Sequence, residues 1–162
     1  MARIFDSRED RYGRYFDDFE IGDTYKHWPG KTITESDDHL YSLLTMAGSP
    51  LHIDSNYAST EMSDGKNLVI GTYIYALLTG MSVTDISGKA VASLGVKELN
   101  HIAPVFHGDT LYASTEILEK RVSQSNPKNG ILTVRTTGRN QDATEVCSFI
   151  RSVLLPIKGA MR

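Results

Sequence analysis

The sequence predicts an α+β fold in which a curved antiparallel β-sheet wraps around one long helix. Apolar residues in the first half of the chain recur with helical spacing, whereas from Val91 onward they alternate with a period of two. Turn-forming stretches such as "SNPKNG" and "NQDAT" separate the later segments and leave no room for crossover helices, which argues against a parallel sheet. We expect residues 1–162 to form a single domain with its core at about residues 15–156.

Two helices are predicted ahead of the long one. Thr34 followed three residues later by Asp37 is an acidic variant of the capping box, and apolar residues then recur at helical spacing until Gly48 and Pro50 end the pattern. Asp54 is predicted to cap a second, short helix. The stretch "SDGKN" then forms a turn.

The long helix is predicted within "NLVIGTYIYALLTGMSV". The residues that recur at the spacing of one helical face are Ile70, Ile74, Leu77, Leu78 and Met81. Apolar residues also occupy the other faces, so we expect protein to surround this helix. The segment is shorter than the roughly 20 residues that cross a bilayer, and Gly71, Thr79 and Gly80 interrupt it. It therefore predicts a buried helix and no membrane partner.

Four later segments predict strands because they are rich in Val, Ile, Thr, Leu and Phe. They are "VASLGVKELN", "TLYASTEILEKRVS", "GILTVRTTGRN" and "EVCSFIRSVLLPI". Since turns separate them, we expect an antiparallel meander. Cys147 is the one cysteine, which excludes an intramolecular disulfide and predicts a buried strand residue.

Charge and histidine spacing limit the partners. The net charge of −3 argues against non-specific binding to nucleic acid, which needs a basic surface. The first twenty residues lack the apolar region of a secretory signal, so we expect a cytoplasmic protein. No cofactor is expected, and no metal either, because four histidines lack metal-ligand spacing to acids or cysteine. They are His27, His39, His101 and His107.

Four stretches, in order, resemble the MaoC-like dehydratases. They are "YFDDFEIGDTYKHWPGKTITESD", "SPLHIDSNYA", "HIAPVFHGDTLYASTEILEKR" and "GRNQDATEVCSFIRSVLLP". This family includes the (R)-specific enoyl-CoA hydratases and the mesaconyl-CoA hydratases. The resemblance implies a hotdog fold, a CoA-thioester substrate, and at least a homodimer in which two hotdogs pair edge to edge with the ligand site at their interface.

The resemblance also assigns candidate site residues around the second stretch. It implies that His52 is catalytic. In the (R)-hydratases an aspartate lies five residues before this histidine and an asparagine three before it, whereas Ala47 and Ser49 occupy those positions here. Ser49 is thus a candidate by position, and the usual acid is absent. Asp54 is a candidate to orient the imidazole or to act as a second carboxylate, the alternative being the helix cap.

Hydration of a 2-enoyl thioester needs a base for water, an acid for the α carbon, and donors for the thioester oxygen. An imidazole such as that of His52 suits the first task, although a loop histidine bonded to the backbone is the alternative. Gly71 matches a family glycine at the start of the long helix, where backbone N–H groups are free; the alternative is a packing role. Thr79 matches a hydroxyl position of the (R)-hydratases, or bonds its own helix.

The function predicted is that of an acyl-CoA hydratase/dehydratase that adds water reversibly to a 2-enoyl-CoA, with a short branched or dicarboxylic acyl group. One alternative is a hotdog protein that binds acyl-CoA without turnover, which Ala47 favours. Another is a hotdog thioesterase. Thioesterases of this fold usually carry a carboxylate on or just before the central helix, and the stretch "GTYIYALLTGMSV" contains none before Asp85.

Overall fold

The computed structural model describes residues 12–160. Residues 1–11, on which much of the expectation about a secretory signal rests, lie outside the described residues. Within residues 12–160, no helix combines the length and apolar character needed to cross a membrane.

The described part of the chain contains six strands: β1 (Thr24–Lys26), β2 (Lys31–Thr32), β3 (Ala92–His101), β4 (Thr110–Val122), β5 (Asn129–Arg139) and β6 (Glu145–Pro156). They form one antiparallel sheet in the order β1-β4-β5-β6-β3, and β2 pairs with β4 beside this path. The four predicted strand segments are confirmed as β3 to β6. β1 and β2 escaped prediction because three and two residues are too few to display a period of two.

The predicted antiparallel meander is confirmed for β4, β5 and β6, which pair in chain order. It is wrong for β3, which pairs with β6 at the edge of the sheet. The connection from β3 to β4 therefore passes beside the residues that precede the long helix. The N–H of Val69 donates to the carbonyl of Val105 at 2.8 Å, and Leu68 forms an isolated bridge with Phe106. This crossing brings two distant segments together at the start of the long helix.

Among the described residues, four α-helices accompany the sheet: α1 (Glu35–Leu44), α2 (Pro50–Ile53), α3 (Ser55–Glu61) and α4 (Gly71–Met81). The capping box of α1 is confirmed, because Thr34 Oγ1 accepts the N–H of Asp37 at 3.2 Å and the Asp37 carboxylate accepts the N–H of Thr34 at 2.9 Å. A hydrogen bond from Lys31, with further bonds from Thr34, lowers the pKa of Asp37 to about 2.

The long helix α4 packs across the concave face of the sheet, as predicted for a hotdog fold. Ile74 and Leu78 are buried in the core against residues of β4 and β6. Gly138 admits the helix, since a Cβ there would lie 2.5 Å from a methyl carbon of Leu78. Tyr75 packs edge to face on Phe149 with ring centroids 4.8 Å apart.

The expectation that protein surrounds α4 is wrong for the single chain. Thr72, Ala76 and Gly80, at successive i, i+4 positions, are exposed. The reason is that one sheet covers only one face of the helix. The same holds for α1, whose apolar residues Leu40 and Leu44 are 60% and 76% exposed.

A buried polar chain ties the far end of α4 to the sheet. After α4, a π-helical turn spans Val83–Ser87. From it, Asp85 contacts His27 Nδ1 at 2.7 Å, His27 Nε2 contacts the Thr115 hydroxyl at 2.8 Å, and Thr115 contacts Thr136 at 2.9 Å. Through these contacts His27 links the π-helical turn to Thr115 of β4, which gives this histidine a structural role.

Candidate functional site

A cavity of about 370 Å³ opens at the N-terminal end of α4. Its lining residues are His52, Leu68, Val69, Gly71, Ile74, His101, Ile102, Ala103, Pro104 and Val105. Two of the residues singled out from the sequence, His52 and Gly71, thus face the same space although helix α3 and a turn separate them along the chain. Most of the other walls are aliphatic.

His52 is held in one orientation by the backbone. Its Nδ1 lies 2.6 Å from the carbonyl oxygen of Leu68. A carbonyl oxygen can only accept, so in the neutral imidazole Nδ1 carries the hydrogen and Nε2 keeps its lone pair. A half-buried imidazole of this tautomer can take a proton from a water molecule in the cavity.

The short helix α2 sets the position of His52. Pro50 occupies its first position, where the fixed φ of proline suits a helix and an N–H would have had no intrahelical acceptor. The N–H of His52 donates to the carbonyl of Ser49 at 3.0 Å, which closes the turn. The N–H of Leu68 donates to the carbonyl of Leu51 at 3.1 Å, and buried Asn67 donates to the same carbonyl at 3.2 Å. These bonds fasten α2 to the strand-like segment before α4.

The start of α4 presents backbone donors at the cavity. Ile70 is the N-cap residue, and the N–H groups of Tyr73 and Ile74 both donate to its carbonyl. Gly71 follows as the first helical residue and lines the cavity. The N–H groups of Gly71 and Thr72 precede the first intrahelical hydrogen bonds and carry the positive end of the helix dipole, so this end can stabilise a developing negative charge.

Asp38 holds this helix start in place. It is fully buried, and one carboxylate oxygen accepts the N–H of Ile70 at 3.0 Å. The other oxygen lies 2.9 Å from Nε2 of His107. Asp38 is buried because the polar start of α4, which is itself buried, requires an acceptor. The contact with Asp38 gives His107 a structural role.

Three other candidates from the sequence do not line the cavity. Asp54 Oδ1 accepts the N–H of Tyr57 at 3.0 Å, so this carboxylate caps α3 as the alternative interpretation held. Ser49 is the N-cap residue of α2 and contributes its carbonyl to that helix. The Thr79 hydroxyl is buried and has no hydrogen-bond partner within residues 12–160. The alternative that Thr79 bonds its own helix is wrong.

Sequence reasoning missed His101 as a site residue. This histidine ends β3, lines the same cavity, and has its ring packed directly on Gly71. The one available signal was its position at the start of the family-like stretch "HIAPVFHGDT". Among residues 12–160, no group of three or more His, Cys, Asp or Glu side chains is arranged to hold a metal ion.

Comparison with known proteins identifies close relatives. The profile of a family described as mesaconyl-CoA hydratase matches residues 1–162. The chain is 34% identical over 143 residues to a mesaconyl-CoA hydratase of Cereibacter sphaeroides, and 31% identical over 147 residues to a β-methylmalyl-CoA dehydratase of Chloroflexus aurantiacus. Both alignments cover 88% of this chain but only 41% and 40% of those proteins. This chain thus spans about two fifths of their length.

A solved structure from Chloroflexus aurantiacus, described as a putative MaoC domain protein dehydratase, superposes with a TM-score of 0.86 at 28% sequence identity. The match covers 95% of this chain and 43% of that one. The superposition therefore extends over nearly the whole chain.

Proposed function

This chain belongs to the mesaconyl-CoA hydratase family, and on that premise we propose that it catalyses the reversible addition of water to a 2-enoyl-CoA thioester. The observation that carries the proposal is the meeting of an oriented imidazole, His52, with the N-terminal end of α4 at Gly71 in one cavity. A base and an oxyanion donor are two of the three groups that this reaction needs.

In the proposed reaction, Nε2 of His52 takes a proton from water as the water oxygen attacks C3 of the enoyl group. The electrons of the C2–C3 double bond move toward the thioester carbonyl, whose oxygen gains negative charge. The N–H of Gly71 donates to this oxygen, supported by the dipole of α4. Glycine allows the thioester to approach the backbone closely.

The substrate proposed is a short branched or dicarboxylic enoyl-CoA. The names of the two relatives, mesaconyl-CoA hydratase and β-methylmalyl-CoA dehydratase, support this class. The aliphatic walls contributed by Val69, Ile74 and Val105 suit a short acyl chain.

The experiment that tests the proposal follows the absorbance of the enoyl double bond after mixing the protein with crotonyl-CoA or mesaconyl-CoA. A hydratase removes this absorbance in a time-dependent way. Release of free thiol instead would identify the thioesterase alternative. Binding of the thioester without loss of absorbance would identify the non-catalytic alternative that Ala47 favours.

Asp54→Ala is expected to lower stability and leave hydration at the wild-type rate. The carboxylate caps α3 through the N–H of Tyr57, and loss of such a cap costs about 1 kcal/mol. Thermal unfolding and hydration kinetics measure the two effects separately. A hydration rate that falls by about tenfold or more would show instead that Asp54 takes part in catalysis.

The active form proposed is at least a dimer of hotdog units. β3 lies at one edge of the sheet, and it and the segment after it expose apolar side chains, among them Leu94, Leu99 and Ile102. Such edges are usually paired or covered. The relatives' greater length supports pairing of this unit with a second one.

Light scattering at micromolar concentration is therefore expected to give a mass of at least two chains. Leu94→Glu is expected to shift the protein toward the monomer, because it places a charge on the exposed edge strand. Glu61→Lys, on the exposed end of α3, changes charge elsewhere and serves as the control. A wild-type protein that stays monomeric would overturn the assembly proposal.

A further inference from the structure

We propose that His101 is the second proton-transfer group of this site, the residue that protonates C2 after His52 has activated the water. The inference rests on the proposed hydration and names the group that completes it. The cavity contains no other candidate among the side chains that line it, since His52 and His101 are its only ionisable lining residues within the described part of the chain.

The register of β3 turns His101 toward the helix. Lys97 lies opposite Ile150 and Asn100 lies opposite Ser148, so three steps along β3 cover two steps of β6. Glu98, inside this bulge, has a left-handed φ of 56°. His101 consequently pairs with Cys147, a buried core residue.

Without the extra residue, the regular pairing would have given the position opposite Cys147 to Asn100. Residues directly opposite each other in an antiparallel ladder share one face of the sheet, and bulges commonly re-aim a side chain beside an active site. The bulge thus exchanges an amide for an imidazole on the face that packs against α4.

Gly71 provides the space that His101 occupies. A Cβ on Gly71 would lie 2.8 Å from Nε2 and 2.9 Å from Cε1 of His101. The ring therefore lies directly against the first helical residue, where the N–H proposed to bind the thioester oxygen is located. A group at that position is close to C2, because C2 is bonded to the thioester carbonyl carbon.

The surroundings leave proton transfer to the two imidazoles. Ala47 occupies the position of the acid in the resembling (R)-hydratases and has no proton to give. Cys147, across the ladder from His101, is fully buried in the core and does not line the cavity. The segment after His101 contributes Ile102, Ala103 and Pro104 to the cavity, all of them uncharged.

Neutral His52 accepts a proton from water, the water oxygen forms a bond to C3, and the C2–C3 π electrons move onto the thioester oxygen. Protonated His101 then donates its proton to C2, and the carbonyl double bond reforms. The products are the 3-hydroxyacyl thioester, protonated His52 and neutral His101, and exchange with solvent resets both rings. Dehydration runs through the same groups in reverse.

The test is the pH profile of hydration in wild-type protein, His101→Gln and His52→Gln, with crotonyl-CoA and mesaconyl-CoA as probes. A base must be neutral and an acid must be protonated, so wild-type kcat/KM is expected to fall on both sides of an optimum. His101→Gln is expected to lower kcat by about 10² to 10⁴-fold, and its kcat/KM should no longer decrease at alkaline pH. For His52→Gln, kcat/KM should instead no longer decrease at acidic pH. KM for His101→Gln should change by less than about threefold, because the lost contact acts in the transition state.

Two further variants separate chemistry from packing. His101→Phe keeps an aromatic ring against Gly71 but cannot transfer a proton, so it is expected to melt near the wild-type temperature with the low rate of His101→Gln. Lys97→Gln removes a titratable cation from the same strand, opposite Ile150, and is expected to retain both the rate and the two-sided profile.

Each outcome decides the inference. Wild-type protein that hydrates neither probe overturns the proposed function itself, and the role of His101 with it. Hydrating wild-type protein with a fully active His101→Gln or His101→Phe overturns the role of His101 alone. If His101→Gln hydrates more slowly but its kcat/KM still decreases at both acidic and alkaline pH, His101 has a packing role, and the proposal is also overturned. If His101→Gln does not fold, the rate and profile of His101→Phe decide in the same way.

Discussion

His52→Ala is expected to lower the hydration rate by about 10² to 10⁴-fold while the protein still folds. The substitution removes the imidazole that acts as the base. In the wild type, the Leu68 carbonyl accepts from Nδ1 of this ring and leaves the lone pair of Nε2 free. The structural cost is limited to one hydrogen bond of a half-buried side chain, about 1 kcal/mol. For a domain of this size, that loss lowers Tm by about 2–4 °C. Initial rates with crotonyl-CoA, measured beside a thermal melt, give both numbers.

His52→Asn provides the matched comparison. Its amide nitrogen lies at the same distance along the side chain as Nδ1 of His52 and can donate to the Leu68 carbonyl, but it cannot act as a base near neutral pH. It is expected to recover stability without recovering the rate. Wild-type turnover in either variant would remove His52 from the mechanism. A collapsed melt in both variants would instead assign His52 to filling and fastening the loop.

Gly71→Val and Gly71→Ala are expected to impair hydration far more than folding. A side chain at this position obstructs the thioester and, with its Cβ 2.8 Å from Nε2, displaces the ring of His101. Gly71→Ala adds one methyl group at the first helical position, and the nearest atoms to it belong to the ring of exposed His101, which can move away. It is therefore expected to change Tm by no more than about 2–4 °C while the rate falls by at least about tenfold. A loss of activity without a matching loss of stability distinguishes a site glycine from a packing glycine.

Gly80→Ala on the same helix is the control, because a Cβ at Gly80 would meet no atom within 4 Å. It is expected to gain helix stability and keep the rate. A double-mutant cycle then divides the Gly71 effect. If Gly71→Ala acts through His101 alone, it adds nothing in the His101→Gln background; a further loss there measures obstruction of the thioester. Wild-type turnover in Gly71→Val would overturn the oxyanion assignment.

Much of the fold could be predicted from the sequence because it depends on local patterns. The capping box at Thr34, the cap at Asp54 and the four long strands each have a signal within a few residues. The position of β3 beside β6 has no such signal. It depends on a long-range choice between two partners with similar composition, which periodicity does not resolve.

The candidate site, like the fold, could be predicted only in part. His52 and Gly71 were identified from resemblance to known motifs, and the structure brings both to one cavity. The role of Asp38 could not be predicted because two neighbouring acids at a helix start look alike in sequence, although Asp37 caps α1 and Asp38 is buried against α4. His101 was missed because its direction depends on the bulge at Glu98, which only the paired strands reveal.

The irregular edge at β3 also bears on the solubility of the chain. A long apolar strand at the end of a sheet is a template onto which foreign strands can add, and repeated addition leads to fibres. Here β3 has register shifts between Ser93 and Gly95 and between Lys97 and Asn100. They divide its outer row of backbone groups into short runs, and Lys97 and Glu98 add charge. An ordinary strand cannot continue the ladder past these interruptions, so the edge selects a partner of matching shape and resists indiscriminate growth.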